Sequence, residues 1–160
     1  MTVPAGVTVR GAGVRATKIT PTALTNTNDC FLLNGETTIE DLTIADMRFN
    51  SGANTGYAFR YNTAAMVSIT SRSPYIRNIT VFNKGSGANS NDPYGFLSNN
   101  AGRGAYVDGS RVTRASLEAA MLFNECTFIV PNSRGLIMTN GARVEWLNCF
   151  TYFADLADLS

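Results

Sequence analysis

The side chains that could do chemistry in this chain are mainly carboxylates, because the sequence has 12 Asp and Glu residues but no histidine. Without an imidazole, a Ser-His-Asp triad, a Cys-His pair and every zinc site with a histidine ligand are excluded. The acidic residues are scattered and form none of the closely spaced acidic motifs that bind calcium. We therefore predict neither a metal site nor a bound cofactor.

The three cysteines, Cys30, Cys126 and Cys149, are an odd number without a CxxC spacing, and each lies among apolar residues. This usage is typical of small buried hydrophobic side chains and not of a disulfide framework. We therefore expect three free thiols.

Residues 11–16 read GAGVRA and match the glycine-rich loop of a dinucleotide-binding site. Such a loop needs a helix behind it, because the positive end of the helix dipole faces the pyrophosphate. The segment is instead followed by β-branched residues and Pro21. We interpret the glycines as a corner between strands and predict no nucleotide site.

The elements that must position these side chains are strands, since short β-branched and aromatic runs alternate with clusters of Gly, Asn, Ser and Pro. Residues 114–121 have the composition of a two-turn helix, or of a lead into the next strand. An all-β fold is the prediction. Its expected strands are 7–9, 17–19, 30–33, 39–44, 57–61, 66–70, 76–82, 122–130, 135–139 and 144–153.

One six-residue pattern returns along the chain: an apolar residue, any residue, an acid or amide, an apolar residue, threonine and an apolar residue. It occurs at 39–44, 76–81 and 123–128, with a degenerate copy at 146–151. Two weaker strand candidates lie between successive copies, which makes three strands per repeat. The repetition predicts a triangular solenoid of about four rungs, whose equivalent residues stack on one another.

If the rungs stack in this way, the repeated pattern predicts which residues of neighbouring rungs pair. Segments 39–44, 76–81 and 123–128 should lie side by side and parallel on one sheet. Two ladders would then run across the rungs, and Cys126 and Cys149 should have Cα atoms about 5 Å apart. The first ladder is Asp41, Asn78, Glu125 and Asn148, and the inward one is Leu42, Ile79, Cys126 and Cys149.

Two segments leave alternatives open. Asn140-Gly141 is a strong hairpin signal for an antiparallel pair, so a β-sandwich is the alternative fold. Residues 84–110 are rich in Gly, Asn and Ser and predict a long corner loop, with possible strand pieces at 94–97 and 105–107. Such a loop either lines a functional face or is an excursion without a role.

Two stretches resemble known proteins. Residues 3–13, VPAGVTVRGAG, followed by ATKI at 16–19, resemble the opening rung of pectate-lyase-like right-handed parallel β-helix proteins, which are common among phage tailspikes and tail fibres. Residues 108–110, 118–124 and 140–155 resemble virion structural proteins of T4-like marine cyanophages. The resemblance implies one right-handed parallel β-helix domain over 1–160, as a fragment of a longer virion protein.

The same resemblance implies a structural or receptor-facing module of a phage tail fibre or tailspike that binds a host-surface glycan. The implied location is the virion, after synthesis in the host cytoplasm without a signal peptide. Members of this family are commonly trimers, so we expect a homotrimer or contacts with other virion proteins. The alternatives are a polysaccharide depolymerase on the same fold, either a lyase or a hydrolase, and a capsid-decorating protein.

If the chain is an enzyme, the candidate catalytic residues are Asp41, Asp46, Arg48 and Glu125. A glycoside hydrolase needs two carboxylates about 5 to 10 Å apart, and two stacked rungs would separate Asp41 from Glu125 by about 10 Å. Asp46 and Arg48 lie at one strand end, and arginine is the base that pectate lyases use beside calcium. Solvated corner charges account for the same residues, so we favour a module without catalytic activity.

Charge and hydropathy bear on two further classes of partner, nucleic acids and membranes. The net charge is +1, from 13 basic and 12 acidic residues, and the arginines are spread along the chain. We therefore predict no nucleic-acid interface. No window approaches the roughly 18 apolar residues that a membrane span needs, so we also predict no membrane insertion.

Overall fold

The computed structural model describes residues 1–21, 29–47, 56–65, 67–68, 72–83, 102–112, 117–154 and 156–159. Within these ranges the chain is all-β, apart from one turn of 3₁₀ helix at Thr63–Ala65. The strands are β1 Thr2–Val3, β2 Thr8–Arg10, β3 Lys18–Ile19, β4 Phe31–Leu33, β5 Thr38–Ala45, β6 Tyr57–Tyr61, β7 Val67–Ser68, β8 Tyr75–Phe82, β9 Arg103–Asp108, β10 Leu117–Glu118, β11 Ala120–Asn124, β12 Thr127–Ile129, β13 Arg134–Thr139, β14 Arg143–Leu147, β15 Phe150–Tyr152 and β16 Leu156–Leu159.

Two sheets contain all of these strands except β7 and β10, and every pairing within them is parallel. The six-stranded sheet has the order β1-β4-β6-β9-β13-β16. The eight-stranded sheet is built from five layers, which are β2 with β3, then β5, then β8, then β11 with β12, and last β14 with β15. The chain therefore alternates between the two sheets, layer after layer.

The register across the layers is that of the repeated pattern. Ile76 pairs with Ile39 on one side and with Phe123 on the other, and Phe123 pairs with Trp146. Thr80 in the same way lies between partners in β5 and β12. The predicted parallel, side-by-side arrangement of the three pattern copies is confirmed, and so is the predicted position of the degenerate fourth copy.

The third residue of the pattern is the point at which each layer bends. Asp41, Asn78, Glu125 and Asn148 have φ angles of 59°, 48°, 56° and 52°. These values lie in the left-handed region, which Asn and Asp tolerate better than other residues with a side chain. The two longest predicted strands, 122–130 and 144–153, are consequently each divided in two at this residue.

One apolar core lies between the two sheets. The Phe59 ring of the six-stranded sheet meets the Phe123 ring of the eight-stranded sheet edge to face, with 6.0 Å between centroids. The inward ladder Leu42, Ile79 and Cys126 is fully buried beside them. Because every layer contributes to this core, burial holds the layers in register.

The hairpin expected at Asn140-Gly141 is absent. This turn joins β13 of the six-stranded sheet to β14 of the eight-stranded sheet, and each strand pairs in parallel with other strands. Asn140 and Gly141 have φ angles of 55° and 75°. The left-handed torsions that favour Asn-Gly in hairpins form a corner between the two sheets here, and the antiparallel pair on which the alternative β-sandwich rested is contradicted.

Other expectations differ in detail. The helix considered at 114–121 is wrong for its described part, because β10 covers 117–118 and β11 begins at Ala120. Within the predicted corner loop the strand piece at 105–107 is confirmed as part of β9, whereas 84–101 lie outside the described residues. β1, β10 and β16 were not among the predicted strands.

Candidate functional site

Charged side chains line the outer face of the eight-stranded sheet in its first layers. Arg10, Glu40 and Arg77 occupy one register position in β2, β5 and β8. Glu40 accepts a hydrogen bond from Arg77 Nε at 2.7 Å, and its other carboxylate oxygen lies 3.5 Å from Arg10 Nε. Glu40 is buried between the two guanidinium groups. This ladder ties three layers together.

Asp41 belongs to the same network. Its carboxylate accepts hydrogen bonds from Asn78 Nδ2 at 2.8 Å and from Arg10 Nε at 3.1 Å. The hydrogen bond from Asn78, aided by Arg10, lowers the pKa of Asp41. A general acid in glycoside hydrolysis needs a raised pKa instead. In any such reaction, Asp41 would therefore act as a carboxylate.

Among the candidates that the structure describes, Asp41 and Glu125 share one ladder, and Asp46 lies apart from them. Glu125 is exposed at the bend two layers from Asp41, which corresponds to about 10 Å. Asp46 lies beyond the far end of β5 and pairs with Lys18 Nζ at 3.2 Å. Arg48 lies outside the described residues. The catalytic role of all four stays a prediction.

In the last layer, the outer face of the eight-stranded sheet carries exposed aromatic rings. Phe150, Tyr152 and Phe153 have 59%, 47% and 61% of their surface exposed. The Phe150 and Tyr152 rings lie 6.3 Å apart and 21° from parallel, and the Phe153 ring lies 6.5 Å from that of Tyr152. We call these three residues the aromatic platform. Leu147, which is 49% exposed, precedes it on the same strand pair.

The earlier layers have no equivalent of Phe150 on their outer face. The residues at its position are Lys18, Thr43, Thr80 and Thr127. Exposed rings cost solubility and gain nothing in the core, so a cluster of them marks a contact surface. Sequence reasoning missed this surface, although the signal was present: the degenerate pattern copy has phenylalanine where the others have threonine.

A second aromatic cluster lies in the six-stranded sheet, where Tyr57 is buried and Arg60 and Tyr106 are half-buried. The Arg60 guanidinium lies over the rings of Tyr57 and Tyr106, 4.9 and 4.4 Å from their centroids, and pairs with Asp29. Tyr57 is fully buried, and this burial raises its pKa. The cation–π contacts and the ion pair of this cluster stabilise the sheet.

Asp108 lies at a corner with many donors. It accepts hydrogen bonds from the Ser110 backbone and hydroxyl, from Asn140 Nδ2 and from Thr139 Oγ1 at 2.8–3.1 Å. Burial acts to raise the pKa of Asp108, but these hydrogen bonds together lower it. A cavity of about 200 Å³ lies beside this turn, lined by residues 138–142. With its acceptors already engaged, Asp108 is a structural residue.

No protein-family model matches the chain, and neither a curated protein nor a solved structure matches it. Within the described ranges, no three acidic or cysteine side chains converge as metal ligands would. In the same part of the chain, no helix has the length and apolar character to cross a membrane.

Proposed function

We propose that this chain is a glycan-binding module of a phage tail fibre or tailspike, and that the aromatic platform is its contact surface. The exposed rings of Phe150, Tyr152 and Phe153 carry the proposal. An aromatic face is apolar and electron-rich, so it attracts the C–H groups on the flat side of a sugar ring. The neighbouring Asn148 and Thr127 offer polar groups to hydroxyls beside it.

The fold that we propose for this module is a right-handed parallel β-helix. The alternation of the chain between two parallel sheets supports it, since each passage adds one layer in register. The bend at Asp41 and its equivalents gives each layer two segments in one sheet and a third in the other. Parallel crossover connections are right-handed in nearly all proteins, which supports the handedness.

Binding should be measured with purified polysaccharides from the surfaces of candidate host cells, by titration calorimetry or saturation-transfer NMR. We expect Phe150→Ala and Tyr152→Ala each to weaken binding about tenfold, a loss of about 1.4 kcal/mol. Val7→Ala is the matched control, because Val7 is an exposed apolar residue of the first layers. Platform variants that bind as tightly as the parent would overturn the proposal.

A depolymerase is the second candidate, because Asp41 and Glu125 share one ladder on the outer face. New reducing ends, or unsaturated sugars, after incubation of the pure protein with polysaccharide would support it. Loss of this product in Glu125→Gln, with glycan binding retained, would assign the activity to the ladder. If the parent protein gives no product from any polysaccharide that it binds, the module is not a depolymerase.

The proposed assembly is a homotrimer packed along the long axis of the stack. The support is the resemblance to phage tail fibres and tailspikes, which are commonly trimers, and the subunit contact must leave the aromatic platform exposed to the glycan. Light scattering should give three times the chain mass of 17.2 kDa. A non-aggregating monomer of 17.2 kDa would contradict the trimer but leave glycan binding testable.

A further inference from the structure

Cys126 and Cys149 lie directly on one another in the last two layers of the eight-stranded sheet. The residues that follow them, Thr127 and Phe150, are paired in register, which places the two cysteine Cα atoms about 5 Å apart. The backbone N–H of Cys126 donates to Cys149 Sγ at 3.4 Å. This spacing is within the range of a disulfide, although all three cysteines of the chain are free thiols.

The two thiols differ in access to solvent. Cys126 is fully buried, whereas Cys149 in the last layer is partly exposed. Hydrogen bonding between the two side chains lowers the pKa of Cys149 and raises that of Cys126. Cys149 is therefore the thiol that a dissolved oxidant reaches first and that forms the thiolate more readily.

We infer that Cys126 and Cys149 are a peroxide-oxidisable pair that closes to a disulfide between the last two layers. The Cys149 thiolate attacks one peroxide oxygen; an S–O bond forms, the O–O bond breaks, and hydroxide leaves. The hydroxide takes the Cys126 proton as water. The Cys126 thiolate then attacks the sulfenic sulfur; an S–S bond forms, the S–O bond breaks and hydroxide leaves. The proton that Cys149 released on forming its thiolate converts this hydroxide to the second water. Two thiols and one hydrogen peroxide thus give one disulfide and two waters.

The disulfide has a structural consequence because the last layer contacts only the layer before it in the eight-stranded sheet. β14 pairs there only with β11, and β15 only with β12, among the described strands. A covalent link between β12 and β15 would hold the layer that carries the aromatic platform in place. Oxidation should therefore raise the melting temperature by about 5 to 10 °C.

The test is intact mass and peptide mapping of the folded, reduced chain after mild treatment with hydrogen peroxide. We expect a loss of 2 Da in the peptides joining Cys126 to Cys149, reversal by dithiothreitol, and one remaining alkylatable thiol, Cys30. Burial raises the pKa of Cys30 to about 11, which disfavours its thiolate. Peptide mapping separates this change from oxygen added to methionines.

Two variants keep the inference falsifiable. Cys30→Ser should form the same disulfide as the parent. Cys149→Ser changes a partly exposed residue, and after peroxide it should show neither the mass loss nor the rise in melting temperature. Oxygen added at Cys149 of the parent without an S–S bond would overturn the inference. A link that includes Cys30, or one that joins two chains, would also overturn it.

Discussion

The third residue of the repeated pattern, at which each layer bends, shows how a backbone torsion limits the choice of residue. The repeated pattern placed Asp41, Asn78, Glu125 and Asn148 on one ladder, and the structure shows that all four share a left-handed φ. Asn and Asp meet that need at low cost, and the sequence alone shows the residue preference but not the torsion behind it.

Glu125 is the costliest of these residues, since glutamate gains little from the left-handed region. Glu125→Val should lower the free energy of unfolding by about 1 to 2 kcal/mol, because a β-branched side chain fits this φ worst. Glu125→Asn should leave stability equal or slightly higher. Urea unfolding curves measure both changes.

Glu145→Val is the matched control for Glu125→Val. Glu145 is exposed in β14, has no positive φ, and valine suits a strand. Equal losses of stability in the two valine variants would show that the torsion at residue 125 is not the cause.

The pH dependence of stability should show the lowered pKa values of Asp41 and Asp108. A carboxylate with a lowered folded pKa contributes stability that is fully present above its unfolded value, about 3.9, and is lost as pH falls through the folded value. Urea unfolding between pH 7 and pH 2 should therefore give a steep fall below about pH 4.

Asp41→Asn keeps a residue suited to positive φ and removes one of the two titrations. Its stability should fall less between pH 4 and pH 2 than that of the parent. A variant curve that runs parallel to the parent curve over this range would exclude Asp41 as a source of the acid sensitivity.

At the scale of elements, composition predicted strands well where the strand is a straight apolar run, as in β6 at 57–61. Composition did not predict which strands a turn connects. The same Asn-Gly signal serves a hairpin or a corner between sheets, and only the partner strands decide which one forms. The aromatic platform was missed because the phenylalanine at the threonine position of the degenerate copy was interpreted as a loss of the pattern and not as a change of the outer face.

The close contact between β9 and β13 requires glycine at position 104. A Cβ atom on Gly104 would overlap the carbonyl oxygen of Gly135 in the next strand and touch the Phe128 ring. Gly104→Ala should therefore push two paired strands apart and cost about 3 kcal/mol of unfolding free energy. Thermal or urea unfolding of the variant measures the loss.

Gly6→Ala provides the comparison for Gly104→Ala. Gly6 has a φ of 75°, and nothing lies within 4 Å of its added Cβ, so only torsional strain of about 1 kcal/mol is expected. A Gly104→Ala loss no larger than that of Gly6→Ala would show that the strands adjust without cost.

For the whole molecule, the layered architecture makes stability depend on position. Each layer contacts its neighbours, and pattern copies that pair are 23 to 47 residues apart in the chain. Backbone amides of β8 lie between two other layers and should exchange with solvent most slowly. Amides of the two end layers, β2 with β3 and β14 with β15, should exchange fastest within the eight-stranded sheet. Uniform protection across its layers, measured by hydrogen exchange, would contradict this gradient.

The position of the single tryptophan gives the molecule an intrinsic optical probe. Trp146 stacks on Phe128 of the preceding layer, 4.9 Å between centroids, and lies 5.0 Å from Phe123. If the last layer detaches, the indole ring moves from these rings into water, and its fluorescence emission shifts to longer wavelength. Circular dichroism would change little at that moment, because four layers remain paired. Detachment of one end can therefore be timed by stopped-flow fluorescence on the unlabelled protein.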